Sequence, residues 1–133
     1  MPHIIVEYSA NVHDVIELPG LISQLHDTAI ATGVFPRGGT RTRAARRDAF
    51  QIADGHPDNG FVHLVLRVGH GRTEEVLMAA AQTIFDAATS HLSAVFEKSP
   101  LAISMEVQEI HPVLTFKKNN LHDYVAQRDG STA

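Results

Sequence analysis

The sequence predicts an α/β fold of the α+β kind, in which two tandem β-α-β units form a sheet with two helices on one face. Three observations predict it. β-branched runs of strand length alternate with runs of 3.6-residue periodicity, and the order strand, helix, strand occurs twice. The turn cluster Asp54-Gly55-His56-Pro57-Asp58-Asn59-Gly60 separates the two copies. The chain has 133 residues, 44% of them hydrophobic, which is enough for one ordinary core. Residues 1–126 are therefore expected to form a single domain with pseudo-repeats at about 2–55 and 61–112. The small, polar residues 127–133 are expected to be a frayed tail.

The first strand is expected over Pro2 to Ser9, where His3-Ile4-Ile5-Val6-Glu7-Tyr8 is rich in β-branched and aromatic side chains. A helix follows over Leu18 to Thr32. Leu18, Leu21, Ile22, Leu25, Ala29 and Ile30 recur at helical spacing, Pro19 suits the first turn, and Gly33 is a stop signal. Thr40 to Ala53 reads as strand pieces broken by charges. In the second copy, Phe61 to Val68 is a strand ended by Gly69 and Gly71. Thr73 is a candidate N-cap, with Glu74 and Glu75 placed to complement the positive end of the helix dipole. The apolar stripe Val76, Leu77, Ala80, Ala81, Ile84, Phe85, Ala88, Leu92, Val95 and Phe96 predicts one helix to about Lys98. Leu101 to Ile110 closes the copy as a strand with Leu101, Ile103, Met105 and Val107 on one face. Parallel strands joined this way imply right-handed crossovers.

Composition excludes several chemistries. With no cysteine there is no disulfide framework, thiolate metal site, CxxC redox centre or cysteine nucleophile. A net charge of −4 gives no basic field for nucleic acid or acidic lipid. No run approaches the roughly 18 apolar residues of a membrane span. The N-terminal apolar run has no preceding basic residue and is interrupted at Glu7, so a cytoplasmic location is expected. Nine histidines invite a metal reading, but no HExxH or His-x-His pattern occurs. His56, His63 and His70 lie on a turn, a strand and another turn, so no metal is expected. Neither a Gly-x-Ser-x-Gly elbow nor a phosphate-binding glycine fingerprint is present, and no cofactor is expected.

Two features remain that can carry chemistry. Proline directly after the initiator permits removal of Met1, which would leave Pro2 with a free secondary amine. An α-amine ordinarily titrates at about 7.7–8.0, and burial or nearby positive charge lowers that value towards a general base's working range. The second feature is a concentration of arginine. Arg37, Arg41, Arg43, Arg46 and Arg47 fall within one short segment, and Arg72 follows the turn Gly69-His70-Gly71. Guanidinium groups bind carboxylates bidentately and stay charged, so Arg41 and Arg72, both beside glycine turns and taken as equivalent positions of the two repeats, suit an anionic small molecule. A solvated, charge-protected strand edge is the plainer alternative for the segment as a whole.

These residues belong to a wider pattern. Pro2-His3-Ile4-Ile5-Val6-Glu7-Tyr8-Ser9, Leu18-Pro19-Gly20-Leu21 and Ala31-Thr32-Gly33-Val34-Phe35-Pro36 resemble the tautomerase superfamily. More narrowly they resemble the 5-carboxymethyl-2-hydroxymuconate isomerase family. Ala53-Asp54-Gly55, Phe61-Val62-His63, Gly69-x-Gly71-Arg72 and His111-Pro112-x-Leu114-x-Phe116-Lys117-x-Asn119-Asn120 extend the resemblance in order over nearly the whole chain.

The resemblance implies a tautomerase-like fold assembled as a homotrimer around a barrel-like centre. It implies an N-terminal proline, Pro2, as the proton-transferring amine. Arg41 and Arg72 would hold the carboxylate and oxo groups of a di- or tricarboxylate substrate, with Arg43 one strand step further on. Arg46 and Arg47 match no motif and are expected in surface or subunit contacts. The implied reaction is a cofactor-free keto–enol tautomerisation of a 2-hydroxymuconate-type dienol in aromatic-compound catabolism. Two alternatives stay open at this point. A relative on the same scaffold can have changed substrate, as a decarboxylase or dehalogenase would, and a chain that keeps Met1 would be a non-catalytic anion-binding trimer.

Overall fold

The structure, a computed structural model, describes residues 1–130. Its elements run β1 (His3–Ser9), α1 (Leu18–Ala31), β2 (Arg41–Arg47), β3 (Gly60–Val68), α2 (Glu74–His91), α3 (Ser93–Lys98), β4 (Leu101–Glu109) and α4 (Leu121–Arg128). Short 3-10 turns cover Ala10–Val12 and Arg37–Gly39.

The four strands form one mixed sheet in the order β2-β1-β3-β4. β1 and β2 are parallel, as are β3 and β4, so each half is a β-α-β unit. The two units meet through the antiparallel pair β1–β3, with His3 opposite Arg67 and Tyr8 opposite Val62.

Alternation along the strands decides which face is covered. Ile4, Val6 and Tyr8 of β1 and Val62, Leu64, Leu66 and Val68 of β3 are buried in one cluster. Leu21, Leu25 and Ala29 of α1 and Leu77, Ala80, Ala81, Ile84 and Ala88 of α2 join that cluster, so both helices lie on the same face. Leu101, Ile103, Met105 and Val107 of β4 pack against it, on the face their alternation predicts. The opposite face carries Ile5, Glu7, Phe61, His63 and Val65, all only partly buried. Helix starts follow the expected chemistry. Pro19 occupies the first turn of α1, and the Thr73 hydroxyl accepts from the Val76 N–H at 3.2 Å at the start of α2.

Two expectations are corrected. The second helix does not run unbroken to Lys98, because the backbone at Leu92 turns to φ −92° and ψ 5° and separates α2 from α3. Leu92 stays fully buried, and beside it the ring of His91 donates from Nε2 to the Ile16 carbonyl at 2.9 Å. That contact pins the end of α2 to the loop before α1. Past the break, Phe96 is 58% exposed and leaves the stripe it was expected to join.

The C-terminal segment also differs from expectation. Gln127 and Arg128 complete α4, and Asp129 accepts an ion-paired hydrogen bond from Arg37. Residues 131–133 of the expected tail lie outside the described residues. α4 lies over the Arg37–Gly39 turn so closely that a β-carbon on Gly38 would fall 2.9 Å from the Cα of His122. Only glycine permits that approach.

Leu64, wholly buried on the central strand β3, tests this core. Leu64→Ala is expected to lower the free energy of unfolding in urea by about 2–5 kcal/mol. A loss well under 1 kcal/mol would contradict the packing described.

Candidate active site

The parallel β1–β2 ladder starts at the very N-terminus. Arg41 stands opposite His3, and its backbone N–H donates to the Pro2 carbonyl at 3.0 Å. Strand alternation then places the side chains of His3, Arg41 and Arg43 on the face that the helices leave open. From the other side, the antiparallel β1–β3 pair carries the exit of β3 to the same end of the sheet. The turn Gly69-His70-Gly71 follows directly, and Gly71 adopts φ +121°, a conformation L side chains rarely take. This turn delivers Arg72 to the N-terminus.

Gly69 marks where they meet. A β-carbon built on it would lie 3.9 Å from the Met1 nitrogen and 4.0 Å from Arg72 Nη1. Sequence spacing had treated Arg41 and Arg72 as equivalent positions of the two repeats. The register shows otherwise: the first residue of β2 is Arg41, whereas the first residue of β4 is Leu101, and Arg72 lies in a strand-to-helix turn. The two arginines converge because β1 and β3 are antiparallel.

A cleft of about 510 Å³ opens at this end of the sheet, with Met1, His3, Arg41, His70, Phe116 and Lys117 among its walls. Among the described residues no carboxylate lines it. Arg41 reaches the Met1 sulfur with Nη1 at 3.5 Å, and Asn119 does so with Nδ2 at 3.6 Å. Arg72 does not line the cleft. Its guanidinium lies over the Phe35 ring, 5.1 Å from the centroid, and donates to the carbonyls of Gly69 (3.4 Å) and Val34 (3.3 Å). Its charge nevertheless reaches the chain terminus. Burial first, then the charges of Arg72, Lys117 and Arg41, hold the Met1 amine below its ordinary value of 8.0. The pKa of His3 is likewise lowered, by burial and then by Arg43, Arg41 and Arg67.

Pro2 is buried, and with Met1 attached its nitrogen is an amide. The amine that stands at the cleft in this structure is that of Met1. The other arginines of the segment on β2 are bonded to neighbours, Arg43 to His3 on the cleft wall itself. Arg43 donates to His3 Nδ1 at 3.0 Å, Arg46 pairs with Asp48 at 3.0 Å, and Arg47 pairs with Glu7 at 2.7 Å. Sequence reasoning did not assign His3, His70 or Lys117 to the site. Lys117 stood in a quoted motif without a role; the clustered Lys117-Lys118 pair was the available signal.

The fold and the site define a class: a two-repeat β-α-β protein with a cationic cleft around its own N-terminus. A family model for 5-carboxymethyl-2-hydroxymuconate isomerase matches residues 2–125, and the chain belongs to that family. It is 43% identical over 122 residues to the 5-carboxymethyl-2-hydroxymuconate Delta-isomerase of Escherichia coli, a match covering 92% of this chain and 97% of that one. A crystal structure of a 5-carboxymethyl-2-hydroxymuconate isomerase from Deinococcus radiodurans R1 superimposes with a TM-score of 0.87 at 36% identity, over 93% of each chain. A fused 4-OT solved as a symmetric trimer shares the fold, with a TM-score of 0.67 at 17% identity over 89% of this chain and 92% of that one. Among the described residues no helix is long and apolar enough to cross a membrane.

The site's electrostatics predict a titration. In the Met1-bearing chain the terminal amine should titrate below 8.0, and Arg72→Gln should move that titration upward, read as the pH dependence of N-terminal acylation. Because the folded protein disfavours the ammonium form, the amine's contribution to stability is full above 8.0 and is lost as pH falls through the lowered value. An unchanged titration in Arg72→Gln would contradict the assigned cause.

Proposed function

We propose that the chain catalyses the cofactor-free keto–enol tautomerisation of 5-carboxymethyl-2-hydroxymuconate, or a dienol of that type, to the unsaturated 2-oxo acid. The reading rests on membership of a family named for that isomerase and on a relative of that name at 43% identity. The observation that carries it is the chain terminus at a cleft where, among the described residues, no carboxylate is found, and where burial and then Arg72, Lys117 and Arg41 hold down the pKa of the Met1 amine, one residue from the Pro2 nitrogen.

In this reading Met1 is removed and the Pro2 nitrogen becomes the working amine. Its lone pair takes the proton of the 2-hydroxyl, the electrons of the dienolate shift along the chain, and the resulting prolyl ammonium returns the proton to C5. The product keeps its 3,4-double bond in conjugation with the new carbonyl. The burial and positive charge that lower the Met1 amine would act on a freed Pro2 amine in the same direction, and a lowered pKa would serve both steps by leaving the base unprotonated and making its conjugate acid a better donor.

Arg41, on the cleft wall, anchors the carboxylate beside the 2-oxygen through a bidentate fork. Arg72, tied to two carbonyls, contributes positive potential at the amine and at the oxyanion that forms between the two transfers. No step requires a metal or an organic cofactor.

Assembly as a homotrimer in the cytoplasm completes the reading. The open sheet face, with Ile5, Phe61 and Val65 only partly covered, offers the apolar surface such an assembly would bury. The fused 4-OT of the same fold is a symmetric trimer.

An ultraviolet assay of dienol loss tests the base. Pro2→Ala, which would keep a primary amine but lose the ring that holds it, should lower kcat/KM by about 10²-fold or more. In the wild-type protein kcat/KM should fall as pH drops through the amine pKa, and Arg72→Gln should move that limb to higher pH. Full activity in Pro2→Ala would remove Pro2 from the mechanism.

A further inference from the structure

We propose that Lys117 is the specificity-determining cation of the cleft, binding the carboxylate of the substrate's carboxymethyl arm. The inference rests on the tautomerase reading above and adds to it a residue and a substrate preference.

A dienol with three carboxylates meets few free cations here. Arg43, Arg46 and Arg47 are hydrogen-bonded or ion-paired to neighbours along the sheet. Arg72 lies outside the cleft wall with its guanidinium spent on Val34, Gly69 and the Phe35 ring. Among the described residues, the arginine and lysine side chains that line the cleft are Arg41, Lys117 and Lys118. Arg41 sits at the start of β2, whereas both lysines come from the chain between Ile110 and Asn120, which runs without helix or strand along the cleft. The lysines thus approach from a different wall, as a branched polyanion requires.

Chemistry distinguishes Lys117 from Lys118. The carboxymethyl arm branches from C5, the same carbon that accepts the proton from the amine. A cation that binds the arm must therefore stand near that amine. Lys117 lines the same cleft as Met1 and Arg41, and it is the cleft lysine whose positive charge is felt at the Met1 amine, one residue from the Pro2 nitrogen. The apolar walls formed by Ile110, Pro112 and Phe116 leave the hydrocarbon part of the dienol on the same side. An ammonium on a flexible stem suits a carboxylate on a rotatable CH₂, where a rigid guanidinium fork gives less benefit.

Two substrates separate this inference from the function it rests on: 5-carboxymethyl-2-hydroxymuconate and the same dienol without the arm, 2-hydroxymuconate. With the wild-type protein, Lys117→Gln, Lys117→Arg and Lys118→Gln, kcat/KM is measured on both, and the folded state of each variant is checked by circular dichroism. Lys117→Gln should lose about tenfold or more in kcat/KM on the three-carboxylate substrate, mostly through KM. Compared on the pH plateau, where the amine is already unprotonated, its loss on the two-carboxylate substrate should be much smaller, so that the ratio of kcat/KM between the two substrates falls. Lys117→Arg should recover much of the loss, and Lys118→Gln should leave the ratio between substrates near the wild-type value. Equal losses on both substrates, no loss on either, or a changed ratio only in Lys118→Gln would overturn the assignment to Lys117 while leaving the tautomerase reading intact. A wild-type protein that turns over neither substrate would overturn the tautomerase reading itself.

Discussion

The antiparallel pairing of β1 with β3 is the constraint on which the site depends. It sets His3 against Arg67, so β3 leaves the sheet beside the N-terminus and the Gly69-His70-Gly71 turn can carry Arg72 to the first residues of the chain. Parallel pairing of β1 with β2 brings Arg41 to the same place from the other edge. A slip of one residue in either ladder would move every side chain to the opposite face, exposing Ile4 and Val6 and burying His3 and Arg43. The buried alternation of β1 and β3 excludes that slip. The same apolar pattern that stabilises the core therefore fixes the register of the cationic groups.

Electrostatics explains why a mildly acidic chain carries such a cluster. Net charge is −4, yet among the described residues no acidic side chain lines the cleft. Several acidic residues are paired away from it: Glu7 with Arg47, Asp48 with Arg46, and Asp129 with Arg37, which secures α4, while Glu109 reaches the cleft wall only through His70, 3.5 Å away. Arg72, Lys117 and Arg41, whose charges act on the amine, have no acidic partner among the described residues. They favour anionic ligands and oppose protonation of the amine, so one arrangement of charge serves both binding and basicity.

Much of this fold was legible because its signals are local. The period of two in His3–Ser9 and Gly60–Val68, the stripe of α1, the Thr73 cap and the glycine turns all depend on near neighbours. The break at Leu92 was not legible, since the contact of His91 with Ile16 joins residues far apart in sequence. α4 was missed for a similar reason. It is a short helix with little apolar surface, held by the approach of His122 to Gly38 and by the Arg37–Asp129 pair, and neither leaves a local pattern. Within the site, Pro2, Arg41 and Arg72 stood out by residue type and by resemblance. Their convergence follows from strand direction, which periodicity does not encode, and Lys117 belongs to a loop with no period at all.

The central claim is that the reactive group is the nitrogen of Pro2 once Met1 has been removed. The most direct measurement compares two forms of one protein on the same dienol: a chain verified by intact mass to begin at Pro2, and a chain verified to keep Met1. The account predicts that the first is active and that the second, whose Pro2 nitrogen is an amide, is slower by about 10²-fold or more. Equal rates for the two forms would contradict it.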